Sequence, residues 1–147
     1  MAARRGRDGI GTTSEAPARI HHIGLAVADL DASIRMYAEV FGARLTKRTT
    51  NVKEGLDAAL LQMGDSELEL MAALREESPV GKFIAKRGPG LHHVAYAVAD
   101  IEKKLLEAQA AGLELIDSIP RIGMHGVRIA FIHPKSADGV LTELVEA

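Results

Sequence analysis

The chain has 147 residues, which suits one compact domain or two very small modules and excludes a pair of large domains. Hydrophobic residues make up 47% and charged residues 26% of the sequence, so a core can form and wholesale disorder is excluded. The formal net charge of -2 provides no strong positive field for nucleic acid. Cysteine is absent, which excludes disulfides, thiolate metal ligands and cysteine nucleophiles.

The first residues and the overall hydropathy pattern predict where the protein works. Residues 1–18 mix Arg, Gly, Ser, Thr and Pro without periodicity, and we expect a disordered leader there. An Arg-rich transit peptide is the alternative, which Asp8 and Glu15 disfavour. No run approaches the roughly 18 apolar residues of a membrane span, and no secretory signal is present. We therefore expect a cytoplasmic protein that binds neither membranes nor nucleic acid.

An internal repeat dominates the sequence from Ile20 onward. The segment HHIGLAVADL at 21–30 returns as HHVAYAVADI at 92–101, an offset of 71 residues. A weaker repeat relates ELELM at 67–71 to LTELV at 141–145, with Glu69 and Glu143 74 residues apart. Self-similarity of this kind indicates a tandem duplication.

Each half of the duplication predicts the same order of elements, β-α-β-β-β, from its hydrophobic periods and turn residues. The fold class is therefore α+β, with two tandem βαβββ modules forming an incomplete barrel within a single domain over 19–147. The modules span about 19–74 and 90–147. The predicted strands lie near 20–27, 43–49, 56–63 and 67–71 in the first half, and near 91–98, 113–119, 127–133 and 140–145 in the second.

Helix signals fill the remaining segments. Asp29 or Asp31 can cap a first helix that ends at Gly42, and a second module helix is predicted over 101–111 before Gly112. Ser78 and the following proline open a short helix that connects the modules and runs to about residue 86.

Two histidines and two glutamates are expected on the strand face turned away from the helices. His22 and His93 occupy equivalent positions, and strand alternation turns Glu69 and Glu143 away from the leucines that form the core. Gly24 and Ala95 leave room beside the imidazoles. The set suits Mn²⁺, Co²⁺, Ni²⁺, Fe²⁺ or Zn²⁺, and the pattern does not choose among these metals.

A structural role is the alternative for any one of these side chains, because a single histidine at a strand start is often a core residue. The repetition favours the four-ligand interpretation, since an inward carboxylate in both halves is costly to bury without a partner. Alternation directs His21 and His92 to the opposite face, where we expect a structural or supporting role.

The motifs together resemble a known family. The sequence contains HHIGLAV at 21–27, ELEL at 67–70, SPV at 78–80, KFI at 82–84, GLHHVA at 90–95, HPKS at 133–136 and GVLTEL at 139–144. Over about residues 19–147 this pattern resembles the methylmalonyl-CoA epimerases of the vicinal oxygen chelate superfamily. The more specific features are SPV followed by KFI, the GLHH block and the ending from HPKS to GVL, where glyoxalases of this superfamily typically have Asp-Pro-Asp-Gly.

The resemblance implies a reaction and a set of roles. The family interconverts the (2R) and (2S) epimers of methylmalonyl-CoA by removing the C2 proton and forming a metal-stabilised enolate. By similarity, His22, Glu69, His93 and Glu143 would bind a divalent metal ion, and Glu143 would also be an acid/base. A homodimer acting on a small-molecule acyl-CoA is expected from the same resemblance.

One position departs from the family pattern. The well-described bacterial members place a glutamate three residues after the loop glycine, where this chain has Ala58. Asp57, Glu54, a water molecule or another side chain is the candidate for the second proton transfer, and Gln62 can hold such a water. Strand alternation turns Asp57 away from the face of Ala58 unless the strand begins later. A solvated hairpin loop is the structural alternative for the two acids.

Further contacts to the substrate are expected from the last loops. His133 and Lys135 are candidates for binding the substrate carboxylate or thioester, with ordinary turn chemistry as the equal alternative. The loop at 124–126 can border the substrate. Candidates for the coenzyme A phosphates are Lys82, Lys86, Arg87, Arg121 and Arg128.

Two other functions fit the same residues. A glyoxalase I-like lyase, or an epimerase of another acyl-CoA, would use the same metal and proton transfers. A metal-free module that sequesters a drug in the same fold is the alternative outside enzymes, although it has no need for four ligands.

Overall fold

The computed structural model describes residues 16–147. The predicted leader over residues 1–18 lies outside the described residues up to position 15, and residues 16–18 have no regular secondary structure. The elements are β1 (Arg19–Ala26), α1 (Leu30–Phe41), β2 (Arg44–Asn51), β3 (Leu56–Met63), β4 (Ser66–Ala73), α2 (Pro79–Arg87), β5 (Gly90–Val98), α3 (Ile101–Ala110), β6 (Arg121–Ile122), β7 (Arg128–Ile132) and β8 (Thr142–Glu146). A 3₁₀ turn covers Pro134–Ser136.

The eight strands form one mixed sheet in the order β2-β3-β4-β1-β5-β8-β7-β6. The order is symmetric about its centre, where β1 and β5 pair antiparallel, and each of them has a parallel neighbour, β4 or β8. The duplicated sequence halves thus meet through their first strands. The sheet curls into a half-barrel, as the fold class predicts.

The three helices form from the signals that the sequence carries. Asp29 caps α1 by accepting a hydrogen bond from the backbone of Ala32 (3.0 Å), and Gly42 ends it in the left-handed region. Ser78 caps α2 by accepting from the backbone of Gly81 (3.1 Å). No helix within residues 16–147 is long and apolar enough to cross a bilayer.

Two helices, α1 and α3, cover one face of the sheet, whereas α2 packs on the site face through Val80, which lies in one cluster with Ala26, Ala58 and Met71. The first module packs α1 on the alternating residues Leu68, Leu70 and Ala72 of β4. The second module packs α3 on β7 and β8 through residues that include Ala130 and Leu144. The opposite residues of the same strands therefore point into the concave side.

The strand predicted over 113–119 is wrong. Only Leu115 makes an isolated bridge, to Ile132, and the edge strand β6 forms later, at 121–122. The carboxylate of Asp117 accepts a hydrogen bond from the backbone of Phe131 (2.9 Å) and so replaces the carbonyl of a regular strand. Pro120 lacks the donor that a ladder needs.

Removing the N-cap of α1 should destabilise the fold. We expect Asp29→Ala to lower the free energy of unfolding by about 1 kcal/mol, because one backbone N–H of the first turn loses its acceptor. Asp31→Ala is the matched control, since its carboxylate contacts Arg48 at an exposed surface and should matter less. Urea denaturation measures both, and equal costs would contradict the assignment of Asp29 as the cap.

Candidate active site

The four predicted ligands converge on the concave side of the central strands. His22 and His93 are each 1% exposed, Glu143 is 5% exposed and Glu69 is 8% exposed. The two Nε2 atoms lie 3.0 Å apart. Glu143 Oε2 lies 3.3 Å from Nε2 of His22 and 3.0 Å from Nε2 of His93, and Glu69 Oε1 lies 3.7 Å from Nε2 of His93. Each module thus contributes one histidine and one carboxylate.

Small residues make this convergence possible. Gly24 on β1 pairs with His93 on β5, and Ala95 on β5 pairs with His22 on β1. A Cβ atom on Gly24 would lie 2.0 Å from Cε1 of the His93 ring, which is a severe overlap. The imidazole of His93 therefore occupies space that exists only because position 24 has no side chain.

The neighbouring histidines lie beside the ligand candidates, which corrects the prediction that they face away. His21 is the extra residue at a register shift between Ile20 and His22, and the shift between Gly24 and Leu25 leaves His92 without a partner. Such bulges re-aim a side chain. His21 Nδ1 lies 2.8 Å from His22 Nδ1, and His92 Nδ1 lies 3.0 Å from His93 Nδ1.

Burial controls the protonation of these groups. It lowers the pKa of His92 to about 4, with added repulsion from His93, so His92 is neutral near pH 7 and its Nδ1 can accept a hydrogen bond. Burial, followed by repulsion from His125 and His22, also lowers the pKa of His21. Each can accept an Nδ1 hydrogen of its neighbour and so direct the Nε2 edge of His22 or His93 into the site.

The two carboxylates respond differently to their buried positions. Burial raises the pKa of Glu69 to about 7, against the attraction of His22 and with further repulsion from Glu143 and Glu67. Burial also acts to raise the pKa of Glu143, but hydrogen bonds and charge from His22 and His93 outweigh it and lower the value to about 2. Glu143 is therefore the carboxylate held as an anion by the histidines.

The donor set fits a divalent metal ion. Single ligand atoms of His22, Glu69 and His93 lie within 4.8 Å of one another, and Glu143 contacts both histidines. A cation held there would take the place of the Nε2 hydrogens that Glu143 accepts, so that two nitrogen lone pairs and carboxylate oxygens would face one point. The ligand roles of these four residues stay a prediction.

The wall of the concave side around Ala58 is apolar. Ala58 is 1% exposed and packs with Ala26, Met71 and Val80. Asp57 points to the other face of β3, where it accepts a hydrogen bond from Arg48 (3.1 Å). Alternation therefore directs Asp57 away from the site, as the sequence predicts, and Glu54 lies exposed in the turn before the strand.

Two further side chains reach the site that local sequence patterns did not bring together. His125, in the turn before β7, contacts Glu67 through its Nε2, and its ring stacks on that of His22 with centroids 4.8 Å apart. Glu67 shares a strand face with Glu69, which alternation predicts. The approach of His125 agrees with the expectation that the loop at 124–126 borders the site, but its contact with Glu67 has no local signal in the sequence.

His133 and Lys135 serve the turn in which they lie. His133 Nδ1 accepts the backbone hydrogen of Lys135 (3.0 Å) and so caps the 3₁₀ turn. Lys135 is exposed. Neither lines the cavity of about 380 Å³ between α2 and the loop before β8, which is lined by Phe83, Lys86, Arg87, Leu91, His92, Pro134, Gly139, Val140 and Leu141. Their contact with a substrate stays a prediction.

The candidate phosphate-binding residues differ in whether they line the cavity or are engaged elsewhere. Lys86 and Arg87 line the cavity at the end of α2. Arg128 is bound by Glu146 and Glu102, and Arg121 lies over Phe131 and near Asp117. The cavity thus has two basic side chains at its edge and His92 within it.

Comparisons with known proteins agree with this architecture. Residues 21–131 match the family profile of the Glyoxalase/Bleomycin resistance protein/Dioxygenase superfamily. The chain belongs to this superfamily. A methylmalonyl-CoA epimerase, mitochondrial, from Dictyostelium discoideum is 33% identical over 87% of this chain and 78% of its own length. The ethylmalonyl-CoA/methylmalonyl-CoA epimerase of Cereibacter sphaeroides is 33% identical over 86% of this chain and 96% of its own.

A solved structure extends the similarity. A methylmalonyl-CoA epimerase in complex with methylmalonyl-CoA and NH₄⁺ has a TM-score of 0.83 and 39% identity, covering 88% of this chain and 94% of that chain. This superfamily member is accordingly an enzyme of the isomerase kind, with methylmalonyl-CoA epimerases as its homologues.

Filling the space at position 24 should displace His93. We expect Gly24→Ala to cost about 1–3 kcal/mol of stability through overpacking and to lower metal affinity at least tenfold. Metal content after dialysis and urea denaturation measure the two effects.

A double-mutant cycle provides the control. In a His93→Ala background the imidazole is gone, so adding Gly24→Ala should cost little further stability. If Gly24→Ala is equally costly with and without the ring, the close approach of Gly24 and His93 is not its cause.

Proposed function

We propose that this protein epimerises methylmalonyl-CoA at C2, with His22, Glu69, His93 and Glu143 holding a divalent metal ion. The observation that carries the proposal is the convergence of two buried Nε2 atoms and Glu143 Oε2 within 3.3 Å of one another. The homologous epimerases and the complex of one of them with methylmalonyl-CoA support it. Mn²⁺, Co²⁺, Ni²⁺, Fe²⁺ and Zn²⁺ all suit the donors.

The reaction needs an acidic C2–H and a base beside it. C2 of the substrate lies between a thioester and a carboxylate, so loss of its proton places the electron pair on the thioester oxygen as an enolate. When bound, a divalent ion would supply Lewis acidity to the thioester oxygen and the carboxylate of the substrate. Glu143 takes or returns the C2 proton on one face, and His22 and His93 hold its carboxylate in place.

The other face of the enolate needs its own proton donor. Ala58 has only a methyl group there, and Asp57 is turned away and paired with Arg48. The side chains of Ala26, Met71 and Val80, which pack with Ala58, carry no proton donor either. We infer that a water molecule delivers the second proton at this wall.

The cavity beside His92 suits the coenzyme A part of the substrate. Phe83 and the aliphatic residues of the last loop form an apolar channel, and Lys86 and Arg87 lie where phosphates would be neutralised. His92 joins this cavity to the ligand histidine His93. The proposal places the acyl group beyond His92, toward the four ligand candidates, which do not themselves line the cavity. From the family resemblance we also propose a homodimer, and from the cysteine-free composition a cytoplasmic location.

The deciding experiment follows C2 of methylmalonyl-CoA in D₂O, with chelated and metal-replete protein side by side. Metal-dependent deuterium incorporation with racemisation is expected. Absence of incorporation despite bound metal would reject this substrate, and a panel with ethylmalonyl-CoA and the glutathione hemithioacetal of methylglyoxal would identify the acyl-CoA epimerase and glyoxalase alternatives. Incorporation that survives complete chelation would reject the metal.

Glu143→Gln tests the acid/base assignment. We expect C2 exchange to fall by about 10²–10⁴-fold, because an amide cannot accept the proton, while its oxygen retains part of the metal affinity. Glu146→Gln is the matched control on the same strand, since Glu146 faces Arg128 and Ile101 instead. Exchange at the wild-type rate in metal-loaded Glu143→Gln would remove Glu143 from this role.

A further inference from the structure

A second group of ligating side chains lies directly beside the candidate active site. His21, His22, Glu67 and His125 each offer one atom, and these atoms all lie within 4.8 Å of one another. We call this group the outer cluster. We propose that the outer cluster is a second site for a divalent transition-metal ion, distinct from the four-ligand site of His22, Glu69, His93 and Glu143.

The geometry of the outer cluster is that of converging donors. His21 Nδ1 lies 2.8 Å from His22 Nδ1, and His125 Nε2 contacts a carboxylate oxygen of Glu67. The His125 ring stands edge-on to His21 and stacks on His22, with both centroid distances 4.8 Å. Within residues 16–147, Glu67 forms an ion pair with His125 and with no lysine or arginine. Among these residues, the charge of Glu67 is therefore not neutralised by a lysine or arginine.

His22 belongs to both sites through opposite edges of one ring. Its Nε2 faces His93 and Glu143, whereas its Nδ1 faces His21. Three donors of the outer cluster, from His21, Glu67 and His125, are not used by the inner site. Imidazole nitrogens with one carboxylate are the donors that Zn²⁺, Co²⁺ and Ni²⁺ prefer.

The hydrogens of the outer cluster must move when an ion binds. The hydrogen between His125 Nε2 and Glu67 moves to Nδ1 of the same imidazole, because both contacting atoms become ligands. His22 would use both of its nitrogens as ligands and so become an imidazolate, whose Nδ1 hydrogen passes to the buffer. Binding of an ion at the outer cluster therefore releases one proton to the buffer.

The loop that carries His125 is held in place from the other module. Lys47 on β2 donates a hydrogen bond to the backbone oxygen of Met124 (2.7 Å), and the backbone of Gly123 bonds to that of Val127 (3.0 Å). His125 from the second module is thereby fixed over β1 and β4 of the first. Because these contacts hold His125 in place as a fourth side chain, the outer cluster differs from histidines that are merely neighbours on a surface.

Titration of the full chain with Co²⁺ tests the proposal through stoichiometry, independently of any substrate. We expect two ions per chain, with the inner equivalent bound first and a weaker second equivalent that releases protons in calorimetry. His125→Ala should bind one ion and keep the first phase. His133→Ala is the matched control, because its histidine caps a turn away from the cluster and both ions should remain.

The outcomes against the proposal are equally defined. A single Co²⁺ in the wild-type chain at saturation overturns it, as does an unchanged second phase in His125→Ala. If His125→Ala does not fold, Glu67→Ala takes its place with the same expectation. Because the first equivalent reports the inner site separately, failure of the second site and failure of the proposed function are distinguishable.

Discussion

The close approach of β1 and β5 is the constraint on which the rest of the structure depends. The ring of His93 fills the space beside Gly24, where even a methyl group would overlap it, and fully buried Ala95 stands opposite His22. Only small residues at these two positions allow both imidazoles to turn inward from adjacent strands. The 3.0 Å separation of their Nε2 atoms, and with it the position of both carboxylates around them, follows from this packing.

The electrostatic problem created by that packing is solved locally. Two glutamates are buried beside two histidines, yet the pKa values of their carboxyl groups differ in direction. Glu143 forms ion pairs with both rings, whereas Glu69 forms one with His93, at 3.7 Å. The flanking bulges place His21 and His92 where each shares a hydrogen bond with the adjacent ligand candidate and can accept it. The histidine pairs therefore orient the inner nitrogens toward the carboxylates, while the apolar wall at Ala58 adds no charge.

Much of this arrangement is predictable from the sequence, because alternation in a strand decides which side chains share a face. The inward positions of His22, Glu69 and Glu143 and the outward position of Asp57 follow from that rule alone. The positions of His21 and His92 do not, since a bulge arises from register between strands distant in sequence. Likewise, residues 113–119 have strand-like composition, but the Asp117 side chain replaces a ladder carbonyl. Which residues bind metal remains a prediction.

The symmetric strand order also governs how the chain reaches its native state. The central pair joins segments whose equivalent histidines are 71 residues apart, so it closes one of the longest loops in the molecule. Each half can form its own strands and helix through nearer contacts before that closure. The four-ligand cluster does not exist until the halves dock, and a cation bound there would hold the junction between them together.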